Sequence, residues 1–394
     1  MNLLHKVHRA QLICACSPME ADLTWASEVL VPYGASVVPT FEEMVTTPGL
    51  DAVIIASATP FHASQTRACL DLGIHVLCEK PVTKDMLEVS RSVKAHFQVM
   101  LTTRKLEELV AHAQRSPKAK MMVAFVRRFD ANYQDAKARV KQDAIGRPVV
   151  IRSQGCEPLD TTPFYQQYLR DSGGIFIDTI IHDIDLSLFF FGDDAKPKSV
   201  CAMGVSVYHH QLEAVGDADN AVGICEYWDG RVAYFYNSRT TAHGYDNATE
   251  IFGSAGKLSI NLVPRASAIE LCDKGGYVKT PAHPGWYERY AEAFVTEVTA
   301  WVDALLDDMP MPHPLTSTLN SLKIATALQQ SLSTGQKMYF NKDGVLQASW
   351  RLSLTRSFSC LAPRSNGQAR YVPEGTKILI TSRYCSTVLS LFLL

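Results

Sequence analysis

The segment Asp51-Ala-Val-Ile-Ile-Ala-Ser57 carries apolar residues at five successive positions. Such a run suits a strand covered on both faces, as in a parallel sheet, rather than a half-exposed strand that alternates. Pro60 stands where a helix would begin, because the N–H it lacks has no partner in a first turn. The helix is expected to run to about Leu72 and to end at Gly73. Gln11–Cys16, Ile74–Cys78 and Lys120–Phe125 read as further apolar strands, and Met19–Val31 as a helix. Strands and helices in alternation predict a parallel sheet wrapped by helices.

The pattern changes after Phe129. A helix over about 132–142 leads to Gly146-Arg147-Pro148 and a strand over Val149–Ser153. A helix is expected from about Asp178 to Phe191, then strands near 198–208, 220–228, 231–239, 247–253 and 257–262. Asp229-Gly230 and Ser254-Ala255-Gly256-Lys257 are turn signals between them. Helices near 286–307 and 316–334 and a strand at Lys337–Phe340 close the pattern. The fold class expected is therefore α/β, a Rossmann-like parallel sheet, followed by an α+β domain with a mostly antiparallel sheet. The boundaries are 1–128 and 129–341, and a length of 394 residues agrees with two domains.

Composition excludes several classes. Apolar residues make up 47% and charged residues 20%, unlike a disordered chain. A net charge of −2 gives no pull toward nucleic acid or an anionic membrane. No apolar run is long enough for a spanning helix. Met1–Lys6 leads into a polar stretch, so no secretory leader is expected. The ten cysteines are scattered without a C-x-x-C pair, which argues for free thiols in a reducing, cytoplasmic setting and against structural zinc.

Two motifs carry chemistry. Cys78-Glu79-Lys80-Pro81 follows a predicted strand, and ligands of open parallel sheets bind at strand carboxyl ends. A lysine there can hydrogen-bond a substrate hydroxyl, although a surface ion pair would leave the same pattern. Ser172-Gly173-Gly174 precedes Asp178, His182 and Asp185, whose spacing places them near one face of a helix. Histidine suits proton transfer near neutral pH, and a carboxylate one turn away can orient it. The glycine pair would let a ligand approach the backbone. The same trio could be core polar groups or metal ligands; no metal is expected.

In this order, the two motifs resemble the glucose–fructose oxidoreductase and inositol 2-dehydrogenase family (Gfo/Idh/MocA), over roughly residues 4–341. Ala58-Thr59-Pro60-Phe61-His62 resembles the family's turn beside the nicotinamide, and Val126-Arg127-Arg128-Phe129-Asp130 the opening of its second domain. Asp178–Asp183 and His243-Gly244-Tyr245-Asp246 are similar to inositol 2-dehydrogenases. The resemblance implies an NAD(P)-dependent enzyme that oxidises a secondary alcohol of a polyol or sugar by hydride transfer. It implies Lys80, Asp178 and His182 as catalytic residues, with His182 the base. Ser17, Ser57, Thr59, Pro60, His62, Glu79 and Lys80 fall at cofactor positions. Lys80, Arg127, Asp178, His182 and Tyr245 fall at substrate positions. It extends also to non-catalytic members that bind dinucleotide or sugar as regulators. A homo-oligomer through the second-domain sheet is expected.

The sequence departs from the family in three places. The family fold begins with a strand and a G-x-G-x-x-G turn that cradles the pyrophosphate, whereas the first glycine here is Gly34. A unit of about 25 residues, the size of a strand–turn–helix, is therefore expected to be missing, leaving the activity of the truncated chain in question. Ser17 stands where NAD enzymes often carry an acidic residue, and no arginine follows closely, so NAD is expected over NADP. Val89–Lys105 contains no acidic residue. Removing it would set Met86, Leu106, Val110 and Ala113 at amphipathic spacing, which predicts an in-frame insert of retained-intron type. Ser349–Leu394 has six basic residues and one acidic, and 345–394 is expected to be a non-native, poorly ordered tail.

Overall fold

The structure, a computed structural model, describes residues 5–83, 94–116, 118–263, 271–272, 278–279 and 282–347. Two parallel sheets occupy the first part. β1 (Cys14–Cys16) pairs with β2 (Ser36–Val38). β3 (Ala52–Ile55), β4 (His75–Glu79) and β5 (Met121–Ala124) form the other, in the register Ile55↔Cys78 and Glu79↔Ala124. Helices α1 (Glu20–Val29), α2 (Phe41–Val45) and α3 (Thr59–Asp71) connect the strands. Pro60 lies in the first turn of α3, and Gly73, at φ +78°, follows its end. The strands form where the sequence placed them, but β3 is not covered on both faces as expected: Val53 and Ile55 are buried while Ile54 between them is 36% exposed, so the strand alternates.

Helix α4 (Lys94–Arg115) covers this sheet with Leu106, Leu109, Val110 and Ala113 buried. It is continuous back to Lys94, so much of the segment expected as an insert is helix; 89–93 lie outside the described residues. The tail from 348 onward, and Met86 of the predicted stripe, also lie outside them.

A turn at Val126–Phe129 leads into α5 (Ala131–Lys141), capped by Asp130, whose carboxylate accepts from Asn132 N and Tyr133 N. The second sheet has seven strands in the order β11–β10–β6–β9–β8–β7–β14. They are β6 (Pro148–Pro158), β7 (Pro197–Val205), β8 (Asn220–Tyr227), β9 (Val232–Thr241), β10 (Asp246–Gly253), β11 (Lys257–Ile260) and β14 (Met338–Tyr339). A short ribbon of β12 (Leu271–Cys272) and β13 (Val278–Lys279) stands apart. Only β6 and β9 pair in parallel within the seven, as the expectation of a mostly antiparallel sheet requires.

One row across the sheet, Val200, Cys225, Ala233, Ile151 and Ile251, is fully buried. Helices α7 (Ile175–Asp178), α8 (Ile181–Phe191) and α10 (Leu315–Thr334) lie against this part of the chain, while α9 (Trp286–Leu306) packs on the Val126–Phe129 turn. Helix α8 is buried almost all round, enclosed by its neighbours, with Asp183, Asp185 and Ser187 among its buried residues. Among the described residues no helix is long and apolar enough to cross a membrane.

The single helix expected over Asp178–Phe191 is instead two. Helix α7 ends at Asp178 and α8 begins at Ile181. Asp178 and His182 therefore do not share one helical face, and the i,i+4 reading of their geometry is corrected.

Candidate active site

The site grows from the carboxyl ends of β3 and β4. After β3 the chain turns through exposed Ser57 and half-buried Thr59 into α3. His62, buried on α3, bridges this turn to the next. Its Nε2 lies 2.7 Å from Ser57 O and its Nδ1 2.9 Å from Pro81 O. The two strand ends are thus tied by one ring. Glu79 and Lys80 emerge from β4, and the Lys80–Pro81 peptide is cis. Burial pushes the Glu79 carboxyl up, and its Oε2 accepts from Lys80 N. Ser57 Oγ donates to Gln65, so its hydroxyl is engaged within the same turn. Ser17 follows β1 in the other parallel sheet, and its hydroxyl donates to Asp22 at 2.7 Å.

Lys80 reaches across to Asp178. Its Nζ donates to Asp178 O at 2.7 Å and stands 3.6 Å from Asp178 Oδ1. Asp178 is held from two further sides. Tyr168 on α6 (Pro163–Asp171) donates its hydroxyl to Oδ1 at 2.5 Å, and Arg239 on β9 reaches Oδ2 at 3.3 Å. Arg239 is fully buried, and its other arm meets Asp217 Oδ2 at 3.1 Å. Asp217 Oδ1 in turn accepts from Ile175 N, so the start of α7 is fixed to the same guanidinium.

His182, in the first turn of α8, stands half-buried beside Phe125, ring edge to face at 5.9 Å. Burial, with the cations of Lys80 and Arg127 nearby, holds its imidazole well below the ordinary histidine range. Neutral at physiological pH, the ring can accept a proton. Its Nδ1 is buried without a partner among the described residues. Asp178 is engaged with Tyr168, Arg239 and Lys80, so the carboxylate expected to orient His182 works on the lysine instead.

Arg127 and Tyr245 are brought to the same region but are buried. Arg127 Nη1 donates to Asp183 at 2.8 Å, and Nη2 lies 3.5 Å from the Tyr245 hydroxyl. Burial pushes the Tyr245 phenol up to about 12. Asp185, expected near the histidine face, lies elsewhere: it takes Arg128 bidentately and sits 3.2 Å from His313 Nε2. Of the glycine pair, Gly174 does not open the backbone to a ligand. A Cβ on Gly174 would meet the Gln329 side chain at 2.3 Å, so that space belongs to packing.

Several site residues carry no sequence signal. Tyr168, Arg239 and Glu157 come from an unpredicted helix, a strand interior and the far end of β6. Period-two alternation would have put Glu157 on the same face as Ser153, had β6 been read beyond Ser153.

A model of an oxidoreductase family with an NAD-binding Rossmann fold matches residues 1–102, and a model of the GFO/IDH/MocA C-terminal domain matches 133–259. The chain is 30% identical to the myo-inositol 2-dehydrogenase of Thermotoga maritima, over 66% of this chain and 71% of that protein. It is 28% identical to the scyllo-inositol 2-dehydrogenase (NAD(+)) of Bacillus subtilis, over 85% of this chain and 90% of that one. The crystal structure of the Lactobacillus casei scyllo-inositol dehydrogenase with bound NAD(H) and scyllo-inositol is similar at a TM-score of 0.76 and 29% identity, covering 86% of this chain and 94% of that chain. The strand-end lysine paired with Asp178 and these likenesses converge on one conclusion: the chain belongs to the Gfo/Idh/MocA family of NAD-binding oxidoreductases.

Proposed function

We propose that this chain oxidises a secondary alcohol of an inositol-like polyol or sugar, with NAD as the acceptor. It is a dehydrogenase acting on a CH–OH group. We read residues 1–128 as the dinucleotide half and 129–341 as the substrate half. The observation that carries the site assignment is the pairing of Lys80 with Asp178 beside a neutral His182.

The strand ends suit the nicotinamide half of a dinucleotide: His62 fixes the Ser57 and Pro81 turns, and Thr59, Pro60, Glu79 and Lys80 border them. The described residues hold no G-x-G-x-x-G turn for the pyrophosphate. When bound, the dinucleotide supplies the acceptor for the hydride leaving the carbinol carbon. His182 takes the hydroxyl proton. Lys80, held by Asp178, donates a hydrogen bond to the reacting oxygen and stabilises its developing negative charge. Arg127 and Tyr245 act from the next layer, since Asp183 already occupies the guanidinium. Asp22 beside Ser17, with Glu20 in the same first turn, disfavours a 2′-phosphate and supports NAD over NADP.

The cations near the site all have carboxylate partners, which fits a neutral substrate. The free cysteines among the described residues suit a reducing compartment, and we place the protein in the cytoplasm. A second copy is the expected partner, through the open face of the seven-stranded sheet.

The test is steady-state oxidation of myo- and scyllo-inositol with NAD, alongside NADH binding by fluorescence. His182→Ala and Lys80→Ala should each lower kcat about a hundredfold or more while NADH still binds. Wild-type turnover in either variant removes that residue from its role. NADH binding without oxidation of any polyol or sugar would favour the regulator reading.

A further inference from the structure

Glu157 is the one site-facing carboxyl that the described contacts leave uncommitted. Strand β6 turns alternate residues to the site. Ser153 Oγ donates to Asp183 at 2.6 Å, and a Cβ on Gly155 would stand 2.9 Å from Arg127 Nη2 and 3.1 Å from Asp183 Oδ2. Glu157 follows at the same spacing. There the pairing of β6 with β9 shifts register, between Cys156 and Pro158, opposite the stretch that carries Arg239. Helix α6 approaches from the other side with Tyr165 and Tyr168.

The charges around it are already matched. Lys80 pairs with Asp178, Arg127 with Asp183, and Arg239 with Asp217 and Asp178. No described side chain hydrogen-bonds the Glu157 carboxyl. Burial, and then Asp178, push it above the ordinary range, while Arg239, Lys80 and Arg127 oppose that shift. A partly buried carboxyl without a partner is costly unless a ligand supplies one.

We propose that Glu157 is a specificity-determining residue, whose carboxyl takes a hydroxyl or an ammonium of the substrate away from the reacting carbon. The site then accepts neutral cyclitols and their amino counterparts and disfavours anionic ones. This rests on the dehydrogenase reading above and adds to it a substrate class.

Scyllo-inositol is the suitable probe, because every hydroxyl of the ring is equivalent and the amino group of scyllo-inosamine can turn toward any one subsite. KM and kcat are measured for both compounds with the wild type, Glu157→Gln and Glu157→Leu, and binding of both to the NADH-loaded chain is followed by calorimetry. The amide keeps hydrogen bonding but loses the charge. It should raise KM for the amine about tenfold or more and leave that for scyllo-inositol within about threefold. Leucine should raise both about tenfold. In each case kcat stays within about threefold, because the contact is made equally before and during reaction. Equal KM values across an active wild type and both variants overturn the proposal and leave the dehydrogenase reading intact. So does a hundredfold fall in kcat at unchanged KM, which would put Glu157 in the chemistry. A wild type that oxidises neither compound, nor any other cyclitol, fails the underlying reading itself.

Discussion

At the scale of single residues, the depressed basicity of His182 sets the pH behaviour. Its folded-state value lies well below the ordinary 6.5 through burial, Lys80 and Arg127. In the role proposed for it, His182 accepts a proton only in its neutral form, so activity should hold as pH falls through 6.5 and decline only below it. A kcat/KM profile measured with inositol checks this; an acid limb centred at or above 6.5 would contradict it. Tyr168 acts one step back, by fixing Asp178. Tyr168→Phe removes that bond and leaves Lys80 less firmly held, so kcat should fall about tenfold with NADH affinity unchanged. His182 and Lys80 were legible in the sequence because short-range motifs carry them. Arg239, Tyr168 and Glu157 were not, because strand register and an unpredicted helix bring them in from 61, 10 and 21 residues away from Asp178.

At the scale of elements, buried ionic joints decide how the pieces lock. Arg128 grips Asp185 on α8 at 2.7 and 2.8 Å and also reaches Ser317 on α10. Arg128 and His313 hold the Asp185 carboxyl down at about 2. A depressed acid gives stability that is present above its unfolded value of about 3.9 and is lost as pH falls toward 2. Asp185→Asn leaves the buried Arg128 guanidinium with Asp193 as its remaining carboxylate partner, so it should cost about 3 kcal/mol in urea unfolding at pH 7 and less at pH 3. Glu297 on α9 shows the opposite sign. Burial first, then Glu79, hold it well above 4.5, so wild-type stability drains as pH rises above that value. Glu297→Gln should therefore gain on the wild type between pH 5 and 8 in thermal melts; parallel melting curves would show that the carboxyl is not neutral when folded. These joints also explain what sequence periodicity missed. The Asp178–His182 spacing looked helical, yet α7 stops at Asp178, where Lys80 takes its carbonyl and Arg239 its carboxylate. Tertiary partners, not local propensity, end that helix.

At the scale of the whole molecule, the seven-stranded sheet is covered on one face and open on the other. The fold class was readable because apolar runs and turn signals are local, and β8 alternates buried and more open residues along its whole length. On the open side stand Met203, Val205 and Ile224, 69%, 58% and 48% exposed; Met203 is in register with Val222 and Tyr236, Ile224 with Tyr234, and Val205 with Asn220. A monomer seldom leaves so continuous an apolar strip in water. The seven strands hold 52 residues in all, each taking about 3.3 Å along the strand and about 4.8 Å across the sheet. The resulting face approaches the roughly 800 Å² per partner that a stable interface buries. A second copy can supply the same face in return, as a two-fold contact requires. The wild type should therefore sediment as a dimer or larger at micromolar concentration. Paired Met203→Arg and Ile224→Arg changes set like charges across that contact and should shift it to the monomer with the circular-dichroism spectrum intact. The site lies on the covered side, so the monomer should still bind NADH. A wild type that sediments as a monomer at about 50 μM, a concentration at which even a micromolar contact would be largely filled, excludes this face as an interface between copies.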